Sequence, residues 1–407
     1  MRGSNGLKKL LLLSSFILLS NSSELGDVLS ENRSRLLESQ MEQSKLEASK
    51  LEKSWINPIR IQYSQNYSTQ FDKTIESGQF IISVDQPIFK MGGIWEAIKY
   101  AKVTGEANRI DIELRRRELI GQAISTLFNL HKSKLQLQKL KLTIKNDELD
   151  IIIQRDSYKA GVTNRTLYDR ALLKRNQDIT SKLELEMQIT KLENDFSLLS
   201  DKSPEELELP NFTMIDGEEY QNSQLEIERD RLRTEQKRHK KFMTLTKYLP
   251  ELSINGRYVN EDKNPLFKNA NIKENYYTYG FKVSIPIDIN FRRDTEISKV
   301  EYLNAMISLE EQKKRVANEY RLVKKRLEII NKKIELSRQD AENYESMLIS
   351  AQALERAGDG THYDTEIVRN SMQIRLLDQA IYRYDIQLEL LKLYTKVNFF
   401  NSYVTSN

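Results

Sequence analysis

The stretch from residue 94 to residue 160 contains no proline and repeats hydrophobic residues every seven positions. It predicts a single helix of about 65 residues, which would extend about 100 Å at about 1.5 Å per residue. Hydrophobic residues form two stripes along it: Leu130, Leu137, Ile144, Ile151 and Tyr158 in one, and Phe128, Leu135, Leu142 and Leu149 in the other. The stripes are two residues out of step, a rotation of about 200°, so they lie on nearly opposite sides. The helix therefore needs a neighbour on each side, as in a ring of helices around a hollow axis. A rod with a single seam leaves one stripe unexplained.

Stretches in which apolar and polar residues alternate predict four β-strands, at about 58–71, 79–88, 251–259 and 276–287. Pro87 and Pro286, which cannot donate a hydrogen bond to a neighbouring strand, stand near the ends of the second and fourth stretches. One face is apolar and rich in aromatic residues, as in strands between lipid and a watery lumen. A soluble antiparallel sheet alternates in the same way and is the alternative.

The strands also supply two groups of candidate functional residues. Their polar faces carry four charged side chains that would line a lumen: Arg60, Asp85, Arg257 and Lys282. The excess of positive charge in this group predicts a barrel that is mildly tolerant of anions. Aromatic residues flank both strand pairs where they join the helices and would form a girdle at a membrane interface: Trp55, Trp95, Tyr248 and Phe291.

The order strand pair, long helix, glycine turn and shorter helix occurs twice, which indicates an internal duplication. The first repeat would span 23–210 and the second 211–407. The second long helix is predicted at 294–357, and shorter returning helices are predicted at 164–200 and 361–403.

Two further helices are predicted, at 24–54 and at about 218–247, the second after an irregular stretch that contains Pro204 and Pro210. The helix at 24–54 would complete the second repeat by lying beside the C-terminal helix. Each chain would then contribute four strands. Because four strands cannot close a barrel, copies of the chain would have to share one.

Residues 1–22 predict a secretory signal peptide. Lys8 and Lys9 precede an apolar core at 10–19, and small residues follow. An apolar run of about ten residues is half of what a bilayer requires, which argues against a membrane anchor. No later apolar run approaches about eighteen residues, so a mature chain that spans a membrane is predicted to do so as a barrel.

Composition and charge exclude several classes of function. The 63 basic and 59 acidic residues leave a formal net charge of +4 without a long basic run, so no nucleic-acid partner is predicted. Only 14 Gly and 7 Pro favour long helices over a compact domain with many turns. The absence of cysteine excludes disulfides, a thiolate nucleophile, Cys-ligated zinc and a lipid-modified cysteine.

The sequence predicts neither an enzyme nor a cofactor or metal site. His131, His239 and His362 are scattered without a partner at ligand spacing, and we expect them to be exposed on helices or at a tip. The chain contains no glycine-rich phosphate loop and no nucleophile elbow. Two carboxylates near helix ends, Asp169 and Asp364, lack the pocket that acid–base catalysis requires.

Two short motifs resemble those of a known family. The run Gln86-Pro87-Ile88-Phe89 followed by Gly92-Gly93 resembles the strand–helix junction of the TolC-like outer-membrane efflux proteins. The run Tyr158-Lys159-Ala160-Gly161 resembles the motif at their helix tips. Each motif alone is short, but the duplicated order of strands and helices extends the resemblance over nearly the whole chain.

The resemblance implies a mainly α fold with a small transmembrane β part. Three copies would share a 12-stranded barrel in the outer membrane, set on a long periplasmic α-helical barrel. The implied function is the exit duct of a tripartite efflux system in a Gram-negative bacterium. The implied partners are a periplasmic adaptor (membrane fusion) protein, an inner-membrane RND or ABC transporter, and outer-membrane lipid.

The resemblance also assigns roles to residues at the two helix tips. Five residues would contact the adaptor: Gly161, Val162, Gly358, Asp359 and Gly360. Asp364 would line the periplasmic gate; the first repeat departs from this pattern, with Leu167 at that position and Asp169 two residues later. Thr361 and Asp364 also fit a variant of the capping box, in which Asp364 only begins the returning helix.

Two other functions stay open at this point. The outer-membrane channel of a type I protein-secretion system would resemble the efflux duct too closely to be separated by sequence. A periplasmic coiled-coil scaffold without a pore is the alternative from a different class, and it would not need strands with a lipid-facing aromatic side.

Overall fold

The structure, a computed structural model, describes residues 28–69, 74–261 and 275–399. The predicted signal peptide at 1–22 lies outside these ranges. The helices and strands follow in chain order: α1 Glu31–Glu52, β1 Arg60–Ser68, β2 Ile75–Phe89, α2 Gly93–Lys159, α3 Arg165–Ser197, α4 Gly217–Asn222, α5 Leu225–Thr246, β3 Glu251–Glu261, β4 Asn275–Ser284, α6 Phe291–Ala357 and α7 His362–Tyr394.

The two halves of the chain have helices of equal length. The long helices α2 and α6 contain 67 residues each, and the returning helices α3 and α7 contain 33 each. At about 1.5 Å per residue the long helices extend about 100 Å, so both tips lie equally far from the sheet. This equality is what an internal duplication is expected to leave.

The half of α2 nearer the tip has a neighbour on each side. It packs against α3 and α7, and α6 packs on the far side of α7. The Phe128 ring lies 6.1 Å from the Tyr384 ring of α7, so the stripe that contains Phe128 faces α7. Asp147, three residues after Ile144 of the other stripe, contacts Lys174 of α3. The prediction of two opposed seams is confirmed.

Helices α3 and α6 form the outer edges of this layer and keep apolar side chains exposed. Leu183 and Met187 of α3 are exposed, as are Leu322 and Leu336 of α6. In the described chain no other helix covers these side chains. Exposed apolar residues along both edges indicate that the layer continues into further copies.

The placement of α1 differs from the prediction. It packs on α2 and begins where α3 ends: the Ser30 N–H donates to the Leu199 carbonyl (2.8 Å), and the Glu31 N–H donates to the Asp201 carboxylate (2.8 Å). These bonds satisfy donors that the start of a helix otherwise leaves free. The prediction that α1 lies beside the C-terminal helix is wrong. Helix α5 follows α7 instead, with the Leu225 N–H donating to the Lys396 carbonyl (3.0 Å).

The helix predicted at 218–247 is interrupted, and the returning helix predicted at 361–403 is shorter. Gln224 forms a bridge with Val397, which separates α4 from α5 and ends α7 at Tyr394. Arg117 donates to the carbonyls of Val397 and Asn398 and holds this segment against α2. Residues 400–403 lie outside the described ranges.

An aromatic core surrounds the middle of α2 where these segments meet. Phe128, Phe196, Phe212, Tyr220 and Tyr394 are buried there. The Phe212 and Tyr394 rings lie 4.7 Å apart. Aromatic side chains bury a large apolar area, so this cluster fixes the end of α7 and the irregular stretch against the long helices.

The four strands form one antiparallel sheet in the order β1-β2-β3-β4. β2 begins at Ile75, earlier than predicted, and its register with β3 shifts between Pro87 and Phe89. β4 ends at Ser284, three residues before the predicted end, because Pro286 cannot donate to a ladder. β1 and β4 each leave one edge without a partner in the described chain. The predicted strand end at 70–71 and the connection at 262–274 lie outside the described residues.

None of the described helices combines the length and the apolar character that crossing a bilayer requires.

The seam between α2 and α3 contains a buried carboxyl group. Asp147 is 2% exposed; Oδ1 accepts from Lys174 Nζ at 2.5 Å, and Oδ2 has no hydrogen-bond partner among the described residues. Burial raises the pKa of Asp147, and the nearby Asp178 carboxyl raises this pKa further, whereas Lys174 lowers it. The folded chain therefore binds this proton more tightly than the unfolded chain.

We predict that the stability of the seam falls as pH rises through the raised pKa of Asp147, because the folded state then loses a proton that it holds more tightly. Each unit of pKa elevation removes about 1.4 kcal/mol at high pH. Asp147→Asn keeps one acceptor for Lys174 and adds a donor, so it should raise the thermal midpoint at pH 8 and flatten its pH dependence. Thermal unfolding from pH 3 to 9 tests this, with Glu148→Gln, at an exposed neighbour, as control. An unchanged pH profile in Asp147→Asn would contradict the assignment.

Candidate functional site

The two helix tips close with the same backbone geometry. In the first, Gly161 has φ 72°, and the N–H groups of Val162 and Thr163 donate to the Ser157 carbonyl (2.9 and 3.3 Å). In the second, Gly358 has φ 81°, and the following two N–H groups donate to the Leu354 carbonyl (3.0 and 3.2 Å). Both glycines adopt the left-handed conformation, and this turn satisfies carbonyls that a helix end leaves free.

The side chains of the two tips differ. Thr361 and Asp364 form a capping box: the Asp364 N–H donates to Thr361 Oγ1 (3.2 Å), and the Thr361 N–H donates to the Asp364 carboxylate (3.3 Å). In the first tip Asn164 makes no such side-chain bond. Val162 is 77% exposed there, and Leu167, at the position of Asp364, is exposed as well. The first tip is therefore more apolar, and the second more polar and better capped.

The two acidic residues predicted at the gate each have a partner within their own tip. Asp364 is held by the cap of α7, and Asp169 pairs with Arg165 one turn before it on α3 (Nε to Oδ2, 3.5 Å). Both remain exposed enough to face solvent. The capping interpretation of Asp364 is confirmed, and the gate stays a prediction.

The charged residues predicted to line a lumen share one face of the sheet. Arg60 and Arg257 both pair with Ser83 of β2, one from each side, so they lie in one row across the strands. Lys282 on β4 reaches across β3 to Asp85 on β2 (Nζ to Oδ2, 3.3 Å). The pair neutralises itself, which leaves the two arginines as the net charge of this group.

The opposite face of the sheet is apolar, aromatic and exposed. On β4, Tyr277, Tyr279 and Phe281 are exposed, Tyr279 to 83%. Ile61 and Tyr63 on β1 are exposed as well. An apolar patch of this extent on a sheet marks a surface that contacts lipid or another protein.

The four predicted girdle residues lie at the junction of sheet and helices, in different environments. Trp95 is 61% exposed in the first turn of α2. Tyr248 is buried: it packs edge-on against Phe291 at 5.1 Å and donates a hydrogen bond to Asp294. The Trp55 carbonyl accepts from Gln86 Nε2 (3.1 Å). Tyr248 therefore stabilises the junction from within, whereas the side chains of Trp95 and Phe291 are exposed at its surface.

The histidines differ from the expectation of general exposure. His362 is exposed and pairs with Glu355 at the second tip (2.9 Å). His239, however, is 4% exposed and contacts Glu96 of α2 through Nδ1 (2.6 Å). The prediction is wrong for His239 because its carboxylate partner lies far away in sequence. Among the described residues, no cluster of His, Asp and Glu side chains is arranged to hold a metal ion.

Sequence reasoning missed the polar residues within the seams. Lys132 pairs with Asp385 (2.6 Å) and Lys139 with Asp378 (2.5 Å), both between α2 and α7. These lysines are seven residues apart, as are the aspartates, so heptad spacing of opposite charges is the signal that could have found them. The Asp147–Lys174 pair occupies the seam to α3 in the same way.

A cleft of about 1530 Å³ lies between the helices. Side chains of α2, α3, α5, α6 and α7 line it, and six of them are acidic and six basic. The formal charges that line the cleft therefore cancel.

No known protein family matches the chain by sequence. No curated protein matches it either. Solved structures of outer-membrane channels share its fold. The outer membrane protein VceC of Vibrio cholerae has a TM-score of 0.73 at 12% identity, over 92% of this chain and 95% of that one. The Campylobacter jejuni outer membrane channel CmeC has a TM-score of 0.72 at 13% identity, over 94% and 86%. The open state of the Neisseria gonorrhoeae outer membrane channel MtrE has a TM-score of 0.66 at 12% identity, over 90% of this chain and 88% of that one.

The chain therefore has the fold of the outer-membrane channel proteins, as the resemblance to the TolC-like family implies. Its mainly helical class with one small antiparallel sheet, predicted from the two opposed stripes and the alternating strands, is confirmed.

We predict that loss of the capping residue changes amide exchange at the second tip but little at the first. Thr361→Ala removes a side-chain cap worth about 1 kcal/mol, so amides in the first turn of α7 should exchange about fivefold faster. Asn164→Ala is the matched change at a tip without that bond and should alter exchange in α3 little. Hydrogen exchange with mass spectrometry measures both. Equal acceleration at both tips would contradict the difference in capping.

Proposed function

We propose that this protein is the outer-membrane exit duct of a tripartite efflux system in a Gram-negative bacterium. Three copies form a 12-stranded barrel in the outer membrane and a helical tunnel through the periplasm. Small molecules or ions enter from an inner-membrane RND or ABC transporter through a periplasmic adaptor. No chemical step is involved, and the chain acts as a conduit.

The observation that carries this proposal is that both layers of one chain end in uncovered edges. The sheet ends in β1 and β4, and the helical layer ends in the apolar sides of α3 and α6. An edge strand presents unpaired N–H and C=O groups that another strand can pair with. Head-to-tail contacts that close around an axis form a ring, and three copies of a four-stranded sheet supply twelve strands.

The two faces of the sheet support its placement in a bilayer. The exposed aromatic face would contact lipid, and the face with Arg60, Arg257 and the Lys282–Asp85 pair would line the lumen. A pore-free coiled-coil scaffold gives no reason for such an exposed aromatic face. The charge balance of the cleft suits a conduit for cargo of more than one charge.

The tips would form the periplasmic end of the duct. The first tip, with exposed Val162 beside Gly161, offers an apolar contact to an adaptor; Gly358, Asp359 and Gly360 offer a polar one. Three Asp364 carboxylates that converge on the axis would attract cations, with Asp169 nearby in the first repeat.

Planar-bilayer recording tests the pore. The purified protein should conduct, and under a salt gradient the arginine row should move its reversal potential toward anion preference, against the cation attraction of the Asp364 carboxylates. Arg60→Gln with Arg257→Gln should shift the potential toward cation preference. The double variant Lys282→Gln with Asp85→Asn removes a neutral pair and is the matched control. Absence of conductance would contradict the duct, and equal shifts in both double variants would contradict the lumen assignment.

Substitution at Gly161 tests docking. Apart from the adjoining residues, no atom lies within 4 Å of the position that a Cβ would occupy there. Asp and Asn both tolerate the left-handed conformation, so the two substitutions differ mainly in charge. Gly161→Asp should abolish export from cells that depend on this chain while trimer formation and membrane insertion persist. Gly161→Asn, the matched neutral variant, should retain export. Normal export by Gly161→Asp would contradict docking at this tip.

A further inference from the structure

The outer side of the junction changes from apolar to aromatic to cationic with distance from the sheet. Trp95, Lys99 and Lys102 lie three or four residues apart and share one face of α2. Lys102 lies nine residues before Asp111 of the cleft, a rotation of about 180°. At Lys102 this face is therefore turned away from Asp111, which meets Arg233 of α5.

Two lysines lie level with each other on neighbouring helices of this junction. Gly93 of α2 lies against Thr246 of α5, and Gln236 Nε2 donates to Thr104 Oγ1 (2.8 Å). The helices run antiparallel, so the residues midway between these contacts are level. Those residues are Lys99 on α2 and Lys241 on α5.

Lys99 and Lys241 also differ from most of the lysines around them. Nearby lysines pair with carboxylates: Lys90 with Glu251, Lys102 with Glu52, Lys237 and Lys240 with Glu301, and Lys247 with Asp294. Lys99 and Lys241 form no ion pair among the described residues. Instead the Lys99 Nζ lies 5.1 Å from the Trp95 ring centre, and the Lys241 Nζ lies 4.9 Å from Phe242 and 5.0 Å from Tyr302.

An ammonium group over an aromatic ring keeps a full positive charge that the ring compensates only in part. Both lysines are half-buried, whereas Trp95 and Phe242 are exposed beside them. A ligand that fits this surface needs an anionic group for the lysines and an apolar part for the rings. Lysines whose stems lie along apolar surface commonly place their charge at the level of lipid headgroups.

We infer that Lys99 and Lys241 bind phosphates of anionic phospholipids in the periplasmic leaflet, with the acyl chains against Trp95 and Phe242. The inference rests on the proposed placement of the sheet in the outer membrane. The order along the axis matches one leaflet: the apolar sheet face at the hydrocarbon, the exposed rings at the interface and the unpaired lysines at the headgroups. A zwitterionic lipid carries its own cation, so it compensates these lysines less.

Quenching of tryptophan fluorescence by brominated lipids tests the inference. The chain contains only two tryptophans, so Trp55→Phe leaves Trp95 as the sole reporter beside Lys99. The full-length variant is reconstituted into vesicles of phosphatidylglycerol and phosphatidylcholine in equal parts, with bromine on one lipid at a time. Brominated phosphatidylglycerol should quench Trp95 more strongly than brominated phosphatidylcholine does. The ratio of the association constants of the two lipids should rise about fivefold for each lysine that contacts a phosphate.

Two double variants in the Trp55→Phe background complete the test. Lys99→Gln with Lys241→Gln should bring the ratio of the association constants close to one. Lys102→Gln with Lys237→Gln removes two charges that already have carboxylate partners, and it should preserve the preference. Equal quenching by the two lipids before any lysine is changed would overturn the inference while leaving membrane insertion intact. Absence of quenching by either lipid would overturn the membrane placement as well.

Discussion

The apolar seams on opposite sides of α2 determine how the rest of the chain is arranged. A helix of 67 residues with two such seams is stable only when neighbours cover both sides. Within the chain α3 and α7 supply this cover, and α6 extends the layer beyond α7. The outer helices α3 and α6 are themselves incompletely covered, because they carry apolar residues that the described chain leaves exposed.

The sheet, at the other end of the molecule, also has edges and a face that the described chain leaves uncovered. Its outer strands lack partners at one edge each within the described residues, and its aromatic face is exposed. A soluble monomer would have to hide both features, whereas a ring of copies within a bilayer accommodates both at once. The uncovered helix edges and the uncovered strand edges therefore both favour a ring of copies, which is the arrangement proposed for this chain.

The parts of the fold that depend on local pattern could be predicted from the sequence. Heptad stripes located the long helices, alternation located the strands, and the Thr361–Asp364 spacing indicated the cap. The parts that depend on distant contacts could not be predicted. An amphipathic helix such as α1 can pack on many surfaces, and its place is decided by hydrogen bonds to Leu199 and Asp201.

Which single polar residues are buried also depends on distant contacts and could not be predicted from local pattern. His239 meets Glu96, and Tyr248 meets Asp294, because the segments that carry them come together at the sheet junction. For the candidate site, the sequence placed the four charged strand residues on one face correctly, since alternation fixes the face of a strand. It could not show that Lys282 and Asp85 pair across β3, because that depends on the register of three strands.

The arrangement of copies tests the central claim most directly. Electron cryomicroscopy of the full-length protein purified in detergent should show a threefold particle. In it, β1 of one copy pairs with β4 of the next, and α3 of one copy packs against α6 of its neighbour. A monomeric particle with both edges uncovered, or a ring closed by another number of strands, would contradict the account.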